Sequence, residues 1–320
     1  MANTNIISAD AAGFIPEIWL SSALGRLKNY LTYQKTVTNI EDLEGGVFAV
    51  GSKVHIPKRG TLVVNDKVEN VNYTVQEPGS STVDLTLNKH KEVTFGVESR
   101  TISTTNQNII DGYTDDAVIA IAEQMDIDCA AMFAGVPAAQ TITNTGNMTE
   151  ANIQQARKIL VDNRLPAPAQ RFGVIATSQT NALLSIDRLV RFDSLGVAND
   201  ITEGSLGGER TALGSGGVGR LYGFNIMESQ LAPVTPGTPP VARNLFYGKD
   251  AIVFASRPLE LPDQKFGISA TVMTDEDTGI TMRLLHSYQH LQGAHVITLD
   301  VLYGYQLLRP EHIVLINTSA

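Results

Sequence analysis

The sequence has one cysteine, Cys129, and one tryptophan, Trp19, in 320 residues. A single thiol builds neither a disulfide framework nor a zinc cluster within one chain, a pattern that fits a reducing cytoplasm. Cations are outnumbered: 24 Lys and Arg stand against 33 Asp and Glu, for a formal net charge of -9. Tight nucleic-acid binding needs clustered cations that displace phosphate counterions, so this chain is suited to be a wall beside DNA rather than a glove around it. Long apolar runs are missing as well. The nearest, Ala117 to Ala122, is cut by Glu123, far short of the ~18 residues of a membrane span. Met1 to Asp10 holds no Lys or Arg and no apolar run, so it does not read as a secretory signal. Together these absences predict a soluble protein.

What is present is a globular balance, 43% hydrophobic and 18% charged, in a chain long enough for two compact units plus extensions. Residues 1–43 read as an arm. Phe14, Ile15, Ile18, Trp19, Leu20, Leu24 and Leu27 recur at roughly helical spacing, for docking either on the chain's own body or elsewhere. Residues 44–100 switch to period two: Val54 and Ile56, then Val71, Tyr73 and Val75, then Val83, Leu85 and Leu87, then Val93, Phe95 and Val97. This predicts β-hairpins with one apolar face. The polar, turn-rich stretch from Val64 to Ser81 reads as the mobile tip of a long two-stranded projection.

Residues 113–134 carry the clearest helix pattern. Val118, Ile121, Ala122, Met125, Cys129, Met132 and Phe133 form its stripe, with Glu123, Asp126 and Asp128 largely off it. Asp115 and Asp116 suit its N-terminus, and Gly135 and Pro137 its end. A second helix is predicted from about Glu150 to Asn163 behind Thr149 as cap. Beyond 171 the text is mixed: a buried strand over Phe172 to Ala176, a helix over Ser178 to Phe192, and strands at Phe224 to Met227 and Ala251 to Ala255. A hairpin follows over Ile268 to Met273 and Ile280 to Leu285, then a last strand at His312 to Ile316. Between them, residues 203–219 hold seven glycines, the composition of a flexible loop.

Motifs for chemistry are weak. Gly214-Ser215-Gly216-Gly217-Val218-Gly219 matches G-x-G-x-x-G, but it runs toward a strand rather than opening a helix, and no acid follows ~20 residues on for a ribose. His286, His290 and His295 cluster, yet in a strand-like context without the Glu of a helical metal motif. Asp275, Glu276 and Asp277 fit a solvated turn better than a calcium loop, which would need a closing glutamate. Cys129 reads as a small core residue.

The order of these parts resembles the major capsid proteins of tailed bacteriophages, whose shell fold is shared with herpesvirus capsids and bacterial encapsulins. Three stretches carry the likeness: Gly219-Arg220-Leu221-Tyr222-Gly223-Phe224-Asn225-Ile226-Met227-Glu228-Ser229, then Asn244-Leu245-Phe246-Tyr247-Gly248-Lys249-Asp250-Ala251-Ile252, then Val301-Leu302-Tyr303-Gly304-Tyr305-Gln306-Leu307-Leu308-Arg309-Pro310-Glu311. The resemblance implies an α+β fold in five parts. These are an N-terminal arm (1–43), an extended β-hairpin loop (44–100), a peripheral domain with the spine helix (101–170), an axial α/β domain with the glycine-rich loop (171–262), and return strands (263–320). It implies a structural subunit, not an enzyme, with no catalytic residue, cofactor or metal. Such a subunit assembles with itself as pentamers and hexamers into an icosahedral virion shell, in the host cytoplasm. The shell encloses double-stranded DNA without sequence-specific binding, and no membrane is involved.

Some members of that family begin with a charged helical scaffold. Here the arm begins almost at Met1, so the resemblance implies a separate scaffolding protein, beside a portal protein and a decoration protein. An encapsulin-type nanocompartment is the alternative that composition does not separate, and a nucleotide-binding enzyme is a more distant one. A two-stranded ribbon is marginal in water unless its apolar face is covered, and the simplest cover is an adjacent subunit. Lys58, Arg59, Asp66, Lys67, Glu69 and Glu77 would then set register across subunits, with Trp19 of the arm as a further contact.

Overall fold

The computed structural model describes Leu24, Leu27 and residues 31–40, 53–59, 62–70, 72–77, 79–104, 109–166, 169–186, 217–262, 268–275 and 278–319. In chain order these form β1 (Thr38–Asn39), β2 (Lys53–Arg59), β3 (Ser80–Thr86), β4 (Lys89–Glu98), α1 (Ser99–Thr104), α2 (Ile109–Ala130), β5 (Thr141–Asn144), α3 (Glu150–Asp162), β6 (Arg171–Ala176), α4 (Thr177–Leu184), β7 (Gly217–Leu221), β8 (Phe224–Ser229), β9 (Val234–Thr235), β10 (Val241–Gly248), β11 (Ile252–Arg257), β12 (Ile268–Thr274), β13 (Thr281–Gln289), β14 (Ala294–Leu307) and β15 (Ile313–Ser319). The chain is α+β, as the resemblance implies.

Two sheets organise it. The first runs β1-β11-β14-β13-β12, with β4 also on β14. Its backbone is β14, whose residues Leu302 and Tyr303 pair with both β4 and β11. Those two strands therefore lie on opposite edges of β14, and β11 shares its edge end to end with β13. The second sheet runs β5-β15-β10-β6-β8-β7, with β9 on β10. Its central strands are apolar without alternation, because both faces are covered. Leu245 and Tyr247 join the cluster that holds the α2 stripe, while Phe246 between them packs with Ile153, Ala156 and Leu160 of α3. β4 has one covered face, and its burial alternates along the strand.

The helix α2 lies against β4 and β14, with Val118, Ile121, Ala122, Met125 and Cys129 in the main core. It starts at Ile109 rather than 113 and gives way to a 3-10 turn, Ala131–Gly135. Ile110 packs against the core, and Thr114 Oγ1 donates to the Ile110 carbonyl at 2.8 Å. The added first turn is thus held by burial and a side-chain bond, and Asp115 and Asp116 sit in the second turn instead of at the terminus. Asp126 and Asp128, expected off the buried stripe, are both buried. α3 begins as predicted, with the Thr149 amide donating to Asn152 Oδ1 at 3.0 Å. The helix expected over 178–192 runs only over Thr177–Leu184 and is capped at Ser185; residues 187–192 lie outside the described residues.

The segments expected from sequence interleave in space. β4 falls within the expected 44–100 loop, yet it pairs with β14 over Lys89–Glu98 rather than with β3. β5 and α3 lie in the expected peripheral stretch but belong to the second sheet and its core, whereas β11 leaves the expected axial stretch for the first sheet. The cause is common to all three: each strand finds its partner across a long sequence separation that local periodicity does not encode.

Candidate assembly surface

The ribbon of β2 and β3 pairs antiparallel from Lys53↔Thr86 to Arg59↔Ser80. Period-two spacing puts Val54, Ile56, Val83 and Leu85 on one face. At the root that face is covered by the chain itself, because Ile56, Leu85 and Leu87 pack with Ile40, Val253, Ala255 and Leu308. An adjacent subunit is therefore not needed there, contrary to the expectation for the whole ribbon. On the opposite face His55 and Asp84, direct cross-strand neighbours, meet at 2.6 Å. Gly304 of β14 makes the crossing possible. A Cβ there would lie 2.3 Å from the Thr86 carbonyl oxygen, closer than any side chain allows.

The tip is different. Residues 62–70 and 72–77 carry no strand pairing, although Tyr73 and Val75 alternate as a strand would. Leu62, Val63, Val64, Val68, Tyr73 and Val75 are all exposed, Val64 at 96% and Val75 at 87%. Two side-chain contacts shape the tip. Gln76 bridges back to Val63, accepting from its amide through Oε1 at 2.9 Å and donating to its carbonyl. Lys67 lies over the Tyr73 ring at 4.9 Å and donates to the Val68 carbonyl.

The residues expected to set register fall into separate groups. Lys58 stands next to the tip end of the strand pairing and is paired with Glu311 at 3.0 Å, both side chains partly exposed. Lys67 is engaged within the tip. Asp66, Glu69 and Glu77 are exposed there and make no ion pair among the described residues. Trp19, the Arg59 side chain and residues 203–216 of the glycine-rich loop lie outside the described residues; Gly217 to Gly219 of that loop begin β7.

A second contact system ties the end of the arm to the body, the first of the two dockings that its apolar spacing allowed; its polar contacts were not legible in the sequence. Leu24, Leu27, Leu31 and Tyr33 join the α2 core, and β1 adds parallel to β11. Asp126 of α2 accepts the amides of Thr32 at 2.7 Å and Tyr33 at 3.1 Å, at the start of the 3-10 turn Gln34–Thr36. Burial pushes the Asp126 carboxyl up to about 6, against the pull of the Thr32, Tyr33 and Gln34 amides. From β14, the Tyr305 hydroxyl donates to Gln34 Oε1 at 2.7 Å. In the link between β10 and β11, the Lys249 carbonyl accepts from Thr38 Oγ1 at 3.0 Å. Asp128, two residues past Asp126 on α2, accepts from Tyr303 at 2.8 Å and pairs with Lys89 at 2.9 Å. Burial raises its carboxyl, but Lys89 and Tyr303 outweigh it, so it stays below the usual range.

The weak motifs resolve plainly. Gly217 to Leu221 form a strand against β8 rather than a helix N-terminus, which removes the structural context of a dinucleotide site. His286 lies on β13 and His290 in the turn after it, not on a helix. Asp275 Oδ2 accepts from the Thr278 hydroxyl at 2.6 Å, a turn contact. Cys129 is buried in the main core. Among the described residues no group of three or more His, Cys, Asp or Glu is placed to hold a metal, and no helix is long and apolar enough to cross a membrane.

No family model and no curated protein matches the sequence. Solved structures do match in fold. A chain of Mycobacterium phage Che8 is 18% identical with a TM-score of 0.61, covering 89% of this chain and 90% of that one. A chain of the cyanophage P-SCSP1u capsid is 14% identical with a TM-score of 0.62, covering 90% and 88%. A chain of the mature capsid of bacteriophage PhiM1 is 13% identical with a TM-score of 0.57, covering 90% and 87%. Over about nine-tenths of its length, this chain has the fold of phage capsid chains.

Proposed function

We propose that the chain is a major capsid protein, a structural subunit that assembles with copies of itself into the closed shell of a tailed phage. The observation that carries this reading is the fold likeness to phage capsid chains across nearly the full length of both partners. The ribbon supports it: its root is finished within the chain, while its tip presents six exposed apolar side chains. Apolar patches on a projecting element mark contact surfaces. Asp66, Glu69 and Glu77 at the tip, Arg59, and Trp19 in the arm are contacts for neighbouring subunits, while Lys58 and Lys67 are engaged within the chain.

The wider assignment follows from the same reading. The shell holds pentamers and hexamers, forms in the host cytoplasm with a separate scaffolding protein, and meets a portal protein and a decoration protein. At a net charge of -9, it retains duplex DNA by enclosure, with small cations balancing the DNA charge. Electron microscopy of the purified chain, with and without a co-expressed scaffold, tests this. Closed, uniform particles are expected. A chain that stays monomeric under both conditions, or that binds a nucleotide stoichiometrically, overturns it.

A further inference from the structure

The far end of the β13–β14 hairpin carries two histidines that shell building leaves without a role. His286 pairs with Ile297 and Tyr288 with His295, so the two imidazoles are diagonal neighbours on one face. Their rings are 13° from parallel with centroids 5.3 Å apart, and His286 Nε2 lies 3.1 Å from His295 Nδ1. The centroid separation exceeds the N···N distance by about two ring radii. Only a nearly coplanar arrangement, nitrogen facing nitrogen, satisfies both distances. This is an in-plane N–H···N hydrogen bond. One nitrogen must donate and the other accept. The bond therefore survives in the neutral pair and with one added proton, and it is lost when both rings are protonated.

The pair sits in a connected cluster. The Tyr288 ring lies 4.9 Å from that of His295, and its hydroxyl meets Ser99 Oγ at 3.4 Å. The Ser99 amide donates to the Gly293 carbonyl at 2.9 Å. The hairpin turn and the start of α1 are thus joined through this corner, which also holds Leu291 at 90% exposure. By strand register, Val97 of β4 and Ser269 of β12 share the face of the pair. Alternation turns Glu98 to the other face. Arg100 lies in α1, His290 lies in the turn, and α2 brings Tyr113 onto Phe95, followed by Asp115 and Asp116.

We propose that His286 and His295 form an acid-opened clasp across the end of the β13–β14 hairpin, against which Tyr288 and the start of α1 pack, and that it opens when both rings are protonated. The inference concerns the folded subunit and does not rest on assembly. Its sign follows from the surroundings. Burial, and then the charge of His295, hold His286 below its ordinary value of 6.5. The folded chain takes up that proton later than an unfolded one. The clasp is intact above 6.5, and its contribution is lost as pH falls below that value.

Hydrogen exchange of the full chain, read by mass spectrometry at about pH 7.5 and about pH 5 on either side of the ordinary histidine range, tests the clasp. Rates are corrected for the intrinsic pH dependence of exchange. Protection of residues 288–296 and 99–101 is expected to fall about tenfold on acidification, while residues 117–125 of α2 keep theirs. His295→Phe keeps a planar ring without a proton site and should make the turn insensitive to pH. A turn that stays protected in acid, or a variant that follows the wild-type course, overturns the proposal. A second readout needs no variant: the imidazole nitrogen shifts of the wild-type chain should titrate in two coupled steps. Two independent curves at ordinary positions also overturn it.

Discussion

The two ends of the β2–β3 ribbon are made of the same kinds of residue and meet opposite fates. At the root, Ile56 and Leu85 are buried by β11 and by Leu308 from the link after β14. At the tip, Leu62, Val63, Val64, Val68, Tyr73 and Val75 stand in solvent. Apolar side chains at the root stabilise the monomer. Those at the tip are exposed and contribute little to it. The ribbon is thus divided by burial along its length.

The most direct way to break this comparison is to delete Thr61 to Ser81. The subunit should remain folded, because the root core is untouched, and no closed shells should form. Normal particles by microscopy and sedimentation would erase the distinction between the two ends. Next in size is Leu85→Ala at the root, which opens a cavity in a covered site. It should cost about 2–5 kcal/mol of unfolding free energy, read by denaturant titration. A loss near zero would mean that the root is no better packed than the tip.

Tip substitutions sharpen the contrast from the other side. Val64→Asp or Val75→Asp should change subunit stability by no more than about 0.5 kcal/mol. Each should raise the concentration needed for assembly about tenfold, the equivalent of about 1.4 kcal/mol, as light scattering would show. The smallest effect belongs to Lys58→Ala. Its pair with Glu311 is partly exposed, so solvent screening leaves about 0.2–1 kcal/mol, measurable by a double-mutant cycle with Glu311→Gln.

Much of the local structure was legible because periodicity reports burial. Val93, Phe95 and Val97 mark β4 by spacing alone, whereas β10 was indicated only by the family resemblance over Asn244 to Ile252. Pairing partners were not legible. β4 joins β14 some 200 residues away, and β10 and β11, adjacent in sequence, enter different sheets. The tip was read as polar and turn-rich, yet it exposes six apolar side chains, and the alternation of Tyr73 and Val75 suggested a strand that is not formed among the described residues. Asp126 and Asp128 were placed off the helix stripe by their spacing. Burial comes to them from Thr32, Tyr33 and Tyr303, residues that no helical pattern connects to α2.

Gly304 gives the ribbon a pivot without clearance. The Thr86 carbonyl rests where a side chain would begin, so the β3 backbone bears directly on that of β14. Two strands of seven residues extend about 23 Å from such a bearing. At the other end of that length Lys58 is fastened to Glu311, so the paired strands are held near both ends. The seating of the ribbon thus depends on a bare α-carbon in a different strand, more than 200 positions further along the chain.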